Sequence, residues 1–318
     1  MGFNKITGVN EDGKGGTELM AARIFSDVNQ SLLDNFQIIH SRFADCDLDP
    51  KKKKILVVHD LPNDPMYETL SNGGWEQFDK IVFVSYWQQQ MFKAYRGVPY
   101  AAGTVIRNAI KPIETHEKPD DKIRLIYFST PHRGLDLLYA AFNQLAKEYD
   151  NIELNVFSSF GLYGWPENDK PYHELFDKLR AHKKINYYGS VSNDRIREEL
   201  KKNHILAYPS TWEETSCLTL IEAMSAGLFC VHSSLGALPE TSFGMTAMYD
   251  FHEDPHVHAN RFYVELKSAI ELYQNANRRR SIYQRLTNDK VIADFHHSWD
   301  VRKLEWNNLL KRLLTDSN

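Results

Sequence analysis

Short apolar runs alternate along the chain with longer segments whose apolar positions recur at helical spacing. That alternation is the signature of βαβ units and parallel sheets. The pattern predicts a first set of strands at Gln37–His40, Ile55–His59, Ile81–Ser85 and Thr104–Ile106. A second set follows at Arg124–Ser129, Glu153–Phe157, Asn186–Gly189, Ile205–Tyr208, Phe229–His232 and Ala247–Tyr249. Many are continuous apolar runs, as expected of strands buried on both faces. Predicted helices are Thr17–Asn29, Tyr86–Tyr95, Leu135–Glu148, Asp194–Asn203, Cys217–Ala226, His258–Gln274 and Trp299–Leu314. The last carries Trp299, Leu304, Trp306, Leu309, Leu310, Leu313 and Leu314 on a broad apolar face, so it packs in a core, either locally or by crossing back onto the first domain.

The polar stretch Ala109–Lys122, with two prolines, separates the two sets and reads as a linker. The expected organisation is a first α/β domain over 1–112, a second over 113–298, and a crossover helix over 299–318. Open α/β sheets bind ligands at the carboxyl ends of their strands, so candidate chemistry is sought just after each strand.

Composition narrows the class. Apolar residues make up 42% and charged residues 25%, enough apolar surface to exclude disorder as the main state. A net charge of −4 argues against a dedicated nucleic-acid binder. Cys46, Cys217 and Cys230 are odd in number and match no zinc or disulfide spacing, which points to a reducing, cytoplasmic setting. The segment MGFNKITGVNEDGKGG lacks an apolar stretch and does not read as a signal peptide. No apolar run approaches the roughly 18 residues of a membrane span, so membrane contact is at most peripheral. The Lys51–Lys54 run reads as a solvated strand entrance, with attraction to an anionic membrane surface as the sharper alternative. The histidines show no ligand frame, and no metal site is expected.

The most informative segment is Tyr208–Gly227, YPSTWEETSCLTLIEAMSAG. A buried strand ends, a polar loop follows, and a helix begins near Ser216–Cys217. Backbone amides at a helix start carry partial positive charge and bind phosphate oxygens. Ser216, Cys217 and Leu218 would supply them. Glu222, one turn further in, is placed to accept both hydroxyls of a ribose. Glu214 precedes the helix and reaches a group beyond the phosphates. The plain alternative is that both glutamates are capping or solvated acids.

This segment resembles the E-x7-E element of retaining glycosyltransferases of the GT-B fold, family 4 (glycosyl transferases group 1). Pro209, Ser210, Glu214, Glu222, Ala223, Met224, Ala226 and Gly227 stand in the family's order. Ser234–Glu240, SLGALPE, is similar to its following Gly-rich loop. Val105–Ile110, VIRNAI, resembles the strand and turn that close its first domain, and the Ser298–Trp299 helix resembles its last helix. The resemblance implies two Rossmann-like domains facing across a cleft.

Further constellations take their meaning beside that resemblance. Ile126–Gly134, IYFSTPHRG, is a strand end, loop and helix start. Arg133 there offers planar donors to a leaving diphosphate. A cation at a helix start is disfavoured by the dipole, so an anionic partner is expected. The family places an Arg early in this loop and a Lys just before Gly. Here Arg133 takes the Lys position, and Ser129 or Thr130 falls at the early Arg. Gly13–Glu18, GKGGTE, reads alone as a turn with Thr17 capping a helix. The resemblance implies that Gly15 and Gly16 face the donor phosphates, although Met1–Val9 is less apolar than the family's preceding strand. His59 ends an apolar strand, and the matching family histidine contacts the donor sugar. Asp60 beside it reads as a turn cap. Gly189–Val191 is similar to a turn beside the nucleotide base, with Ser190 and Val191 nearest. Phe160–Trp165, FGLYGW, is aromatic and glycine-rich and either stacks on a sugar or packs between the domains.

The function the resemblance implies is retaining glycosyl transfer from a nucleotide-diphospho sugar, UDP- or GDP-linked, to an acceptor hydroxyl on a glycan, a lipid-linked sugar or a small molecule. No metal or other cofactor is expected, because Arg133 and helix amides meet the phosphate charge. His59 and Glu214 are the expected catalytic residues. The alternatives are a non-catalytic nucleotide-sugar-binding or regulatory subunit, and an NAD-dependent oxidoreductase, against which the absent dinucleotide fingerprint counts.

Overall fold

The computed structural model describes residues 6–7, 15–41, 43–44 and 46–315. Gly13 and most of Met1–Val9 lie outside the described residues. In chain order the elements are β1 (Ile6–Thr7), α1 (Gly16–Asp27), α2 (Gln30–Leu33), β2 (Phe36–His40), β3 (Lys53–Val58), β4 (Lys80–Phe83), α3 (Tyr86–Arg96) and β5 (Gly103–Val105). Next come β6 (Ile123–Phe128), α4 (Leu135–Glu148), β7 (Ile152–Phe157), α5 (His173–Ala181), β8 (Ile185–Tyr187), α6 (Asn193–Leu200), β9 (Ile205–Tyr208) and α7 (Leu218–Ser225). The chain continues with β10 (Phe229–Ser233), α8 (Leu238–Ser242), β11 (Ala247–Tyr249), α9 (Pro255–Gln274), α10 (Ala276–His296) and α11 (Trp299–Thr315). It forms two units, Met1–Lys111 with His297–Asn318, and Pro112–His296.

In the first unit the parallel sheet runs β1-β2-β3-β4-β5. Successive side chains in a strand face opposite ways, and the two cores follow that rule. Ile38, Ile55, Val57 and Val82 pack with Ile24 of α1, Leu33 of α2 and Val28 between the two helices. Ile39, Leu56, Val58, Ile81 and Phe83 pack with Tyr67, Leu70 and Phe92 on the other face. The strands follow sequence order, so this sheet lacks the order reversal of a doubly wound fold among its described strands. Helix α11 lies in the first core, where Trp299, Trp306, Leu309 and Leu310 are buried. Trp299 Nε1 donates to Asp27 at 2.6 Å, and the backbones of Ile110 and Trp299 pair at 2.9 Å. The terminal helix therefore belongs with the first unit.

The second unit holds a six-stranded parallel sheet, β11-β10-β9-β6-β7-β8. Its strands are almost wholly buried, and α4, α7 and α9 contribute Leu138, Phe142, Leu220, Phe262 and Leu266 to one continuous core. Helices α2, α5, α8 and α10 stand where the hydrophobic pattern predicted none. In α10, a charge-rich helix, only Ile282, Leu286 and Ala293 are buried. Among the described residues no helix is long and apolar enough to cross a membrane. At the Lys51–Lys54 run, the Lys54 amide donates to Asp79 at 2.7 Å, and Lys53 Nζ stands 3.5 Å from the same carboxylate.

Two histidines in the second unit are buried in a defined tautomer. His232 Nδ1 faces the Ser233 carbonyl at 2.8 Å and must donate, leaving Nε2 to accept from Thr246 Oγ1 at 2.7 Å. His204 Nε2 donates to the Pro119 carbonyl at 2.8 Å, and its Nδ1 accepts from the Arg124 amide at 3.0 Å. Burial lowers each pKa from 6.5 to about 4, with Lys118 adding to the effect at His204. The unfolded chain therefore takes up protons between pH 6.5 and 4 that the folded unit refuses. Their stabilising contribution is whole above about pH 6.5 and is lost as pH falls towards 4. Urea unfolding across this range should show stability falling with pH, and His232→Gln should flatten the slope. An unchanged slope in that variant would contradict the assignment.

Candidate functional site

Strand order reverses between β6 and β9: β7 and β8 continue on one side, β10 and β11 on the other. In open α/β sheets ligands bind at such a reversal, at the carboxyl ends of the strands. Arg133 comes from the loop after β6 and Glu214 from the loop after β9. Their side chains meet across the reversal, with Arg133 Nη1 donating to Glu214 Oε1 at 2.6 Å. They are 20% and 5% exposed, so the pair is largely removed from solvent. Tyr208, the last residue of β9, donates its hydroxyl to the same Glu214 oxygen. Burial and the Glu214 charge push the Tyr208 phenol well above its ordinary pKa. Burial opposes the Arg133 charge, yet Glu214 holds the guanidinium well above its usual value. Both groups act in their ordinary forms, cation and phenol donor.

Two glycines set this geometry. Gly134 follows Arg133 at φ +101°, and a Cβ there would stand 3.0 Å from the Pro209 carbonyl oxygen. Gly236, at φ +64°, lies against Glu214, where a Cβ would come within 2.6 Å of its backbone nitrogen and oxygen. The next amide, Ala237, donates to the Glu214 carbonyl at 2.7 Å. The Gly-rich loop thus fixes the Glu214 backbone, and its side chain is fixed by Arg133 and Tyr208.

The ends of β6 and β7 lie side by side through the pairing of Phe128 with Phe157. Thr130 and Ser158, just beyond them, are 1% and 2% exposed. Among the described residues, Thr130 Oγ1, His132 Nδ1, Arg133 Nε and Ser158 Oγ are buried without a hydrogen-bond partner. The His132 ring stacks on Phe160 at 5.2 Å and meets the edge of Trp212 at 5.1 Å. Burial, with Arg133 adjacent, lowers its pKa to about 4. Phe160 therefore packs on a protein ring within the second unit.

Helix α7 begins at Leu218, with Cys217 as its cap. The Cys217 sulfur accepts from the Leu220 amide at 3.4 Å, and Ser216 precedes it in the loop. Thr219 Oγ1 donates to the Phe128 carbonyl at 3.1 Å, tying this helix start to the end of β6. Glu222 is 3% exposed. Asn193 Nδ2 donates to its two oxygens at 3.0 and 3.1 Å, and Arg197 Nη1 lies 3.4 Å away. Ser190 is exposed and Val191 half-buried in the turn after β8, just ahead of Asn193. That turn and Glu222 are thus brought together through α6.

In the first unit His59 stands directly after β3. Its Nε2 lies 3.2 Å from His40 Nδ1, the rings stack, and its amide donates to Ser41 Oγ at 3.1 Å. Burial lowers the pKa of both imidazoles, so they are neutral at pH 7. Asp60 accepts from Tyr67 Oη at 3.2 Å. Gly15 is the N-cap of α1 and Gly16 its first residue, so Thr17 lies inside the helix and does not cap it.

The plain alternative, that both glutamates are capping or solvated acids, does not hold, since both are buried and bonded. Arg133 also has an anionic partner within the chain, Glu214, so that the two side chains form one pair. Local pattern missed Tyr208, Asn193, Arg197 and the Gly236 contact. The one available signal was Tyr208, a polar tip on the last residue of an otherwise apolar strand. Among the described residues no three His, Cys, Asp or Glu side chains are grouped to hold a metal ion.

Residues 109–244 match the family model described as glycosyl transferases group 1. A phosphatidylinositol N-acetylglucosaminyltransferase subunit of Homo sapiens is 24% identical over 165 residues, 50% of this chain and 33% of that protein. Its Arabidopsis thaliana namesake is 26% identical over 50% of this chain and 34% of its own length. The chain spans about a third of the length of these relatives. Among solved structures, sucrose-phosphate synthase from Thermosynechococcus elongatus superposes with a TM-score of 0.69 at 12% identity, covering 89% of this chain and 74% of that one. HepE from Anabaena, solved with UDP-glucose, gives 0.62 at 16% identity, covering 88% and 78%. Residues 109–244 are thus similar to glycosyl transferases group 1, and the two parallel-sheet α/β units have the GT-B fold.

The Arg133–Glu214 pair makes a specific energetic prediction. Arg133→Met leaves the buried Glu214 carboxylate without its cation, which costs about 3–5 kcal/mol, toward the lower end because Arg133 is one-fifth exposed. Adding Glu214→Gln should restore most of that loss. Chemical unfolding of the two single variants and the double variant checks this, and additive losses would show that the pair is not coupled.

Proposed function

We propose that this chain transfers a sugar from a UDP-sugar to an acceptor hydroxyl with retention of anomeric configuration. The observation that carries the reading is the buried Arg133–Glu214–Tyr208 constellation astride the strand-order reversal. Open α/β sheets bind ligands at such a reversal, and nothing in core packing requires an ion pair there, which supports this reading. The donor uridine would lie by Ser190 and Val191, with its ribose on Glu222. The diphosphate would meet Arg133 and the start of α7 around Ser216, Cys217 and Leu218. In the first unit, taken by itself, Gly15 and Gly16 at the start of α1 would offer backbone amides to phosphate, and the neutral His59 a hydrogen bond to a sugar without added charge. The bond from the anomeric carbon to the phosphate oxygen breaks, the acceptor oxygen bonds to that carbon, and the acceptor proton passes to the leaving phosphate oxygen. The UDP-glucose bound to HepE supports the choice of base. The names of the curated relatives support an N-acetylhexosamine donor and an inositol-lipid acceptor as first compounds to try.

No metal step is part of this proposal. Glu214 is engaged by Arg133 and Tyr208, and Glu222 by Asn193 and Arg197, so neither acid is placed to bridge an ion to the diphosphate. A second reading, a sugar-nucleotide-binding subunit without turnover, draws on one observation: Glu214 already offsets the Arg133 charge that a leaving diphosphate would use. Release of UDP with and without acceptor separates the two, since a binding subunit would hold UDP-sugar and release none.

Transfer should persist in excess chelator. Glu222→Gln should weaken UDP binding about tenfold, the worth of a hydrogen bond to a charged group. Glu214→Gln should lower transfer while tightening UDP, because the guanidinium charge it held becomes available to phosphate. Calorimetry with UDP and a sugar-transfer assay check these outcomes. Loss of transfer on chelation, restored by magnesium, would contradict the metal-free reading. UDP affinity unchanged in both variants would contradict the placement of the nucleotide.

A further inference from the structure

The loops after β6 and β7 hold a group of polar atoms that the donor placement above leaves without a task. Thr130 Oγ1, Ser158 Oγ, His132 Nδ1 and Arg133 Nε are buried and unpaired among the described residues. Buried polar atoms are nearly always bonded, and each one left open destabilises the fold. Four in two adjoining loops are a local exception that packing does not explain. Nor are they slack loop atoms. Tyr127 Oη donates to the Thr130 carbonyl at 2.7 Å, Tyr187 Oη donates to the Ser158 carbonyl at 2.8 Å, and His132 is held between Phe160 and Trp212.

We propose that Thr130, Ser158 and His132, with Arg133 Nε, form a hydrogen-bonding subsite for oxygen atoms of the donor. This rests on the proposed function. Arg133 Nε–H can only donate, so its partner is an acceptor, and a metal or ammonium ligand is excluded. The two hydroxyls and a neutral imidazole nitrogen can each donate as well, so all four atoms are satisfied together by ligand oxygens. Thr130 holds a buried hydroxyl just beyond the end of β6, and the Arg133 guanidinium is matched by Glu214. The subsite therefore binds through neutral donors whose directions are fixed by the strand ends. Phosphoryl oxygens and sugar hydroxyls share the required chemistry, and the experiment distinguishes them.

Thr130→Val and Ser158→Ala remove the hydroxyls with little change of shape. Each should leave the thermal transition of the ligand-free protein unchanged or raise it, because an open buried polar atom disappears. The double variant should bind UDP-glucose about ten- to a hundredfold more weakly, with uridine binding unchanged. Calorimetry on the full chain with uridine, UDP and UDP-glucose gives the readout. Equal losses for UDP and UDP-glucose support the subsite with phosphoryl oxygens as its ligands. A loss confined to UDP-glucose supports it with sugar hydroxyls. Unchanged affinity for both, where the unaltered protein binds UDP, overturns the subsite alone, as does a loss that extends equally to uridine. An unaltered protein that binds no uridine nucleotide overturns the functional reading and the subsite with it.

Discussion

The second unit is organised around a charge that one strand-end loop places and another neutralises. Arg133 leaves β6 at a helix start, a position the helix dipole disfavours for a cation. Glu214 leaves β9 on the other side of the strand-order reversal and receives it at 2.6 Å. A buried pair of this kind is costly to form and far more costly to break. Everything near it reads as support. Tyr208 donates to the same carboxylate, and Gly236 lets the following loop lie against the Glu214 backbone. Gly134 admits the close approach of Pro209. Were the loops free to diverge, Arg133 and Glu214 would each be left as an isolated charge.

The same constraint gives the site its chemical character. Arg133 and Glu214 cancel, His132 is held neutral, and Asn193 and Arg197 hold Glu222. What remains is a set of buried, unpaired polar atoms at the ends of β6 and β7, the group from which the proposed subsite is built. In the first unit His59 follows the same logic: half-buried against His40, it offers a neutral imidazole at the end of β3.

Much of the fold was legible in the chain because its strands are buried on both faces. Ile55–Val58 and Ile205–Tyr208 read as unbroken apolar runs for that reason. Helix α10 was not legible, because it buries only Ile282, Leu286 and Ala293 and is otherwise charged and polar. Helix α5 likewise buries only Phe176 and Leu179. Within the site, Glu214, Glu222 and the start of α7 stood out by spacing and by their resemblance to a known element. The pairing of Arg133 with Glu214 did not, since the two lie 81 positions apart and meet only through strand order. The open hydroxyls of Thr130 and Ser158 were beyond reach for a different reason. Nothing in a serine or threonine's neighbours along the chain tells whether folding will give it a partner.

The central claim is that the carboxyl ends of β6, β7 and β9 in the second unit hold a uridine diphospho sugar. Hydrogen exchange on the full chain, with and without UDP-glucose, tests it most directly. The account predicts ligand-dependent protection over residues 129–134, 158–160, 189–193 and 214–222, with the amino-terminal ends of the same strands unchanged. Protection absent from these loops at saturating ligand, or confined to other segments, would contradict it.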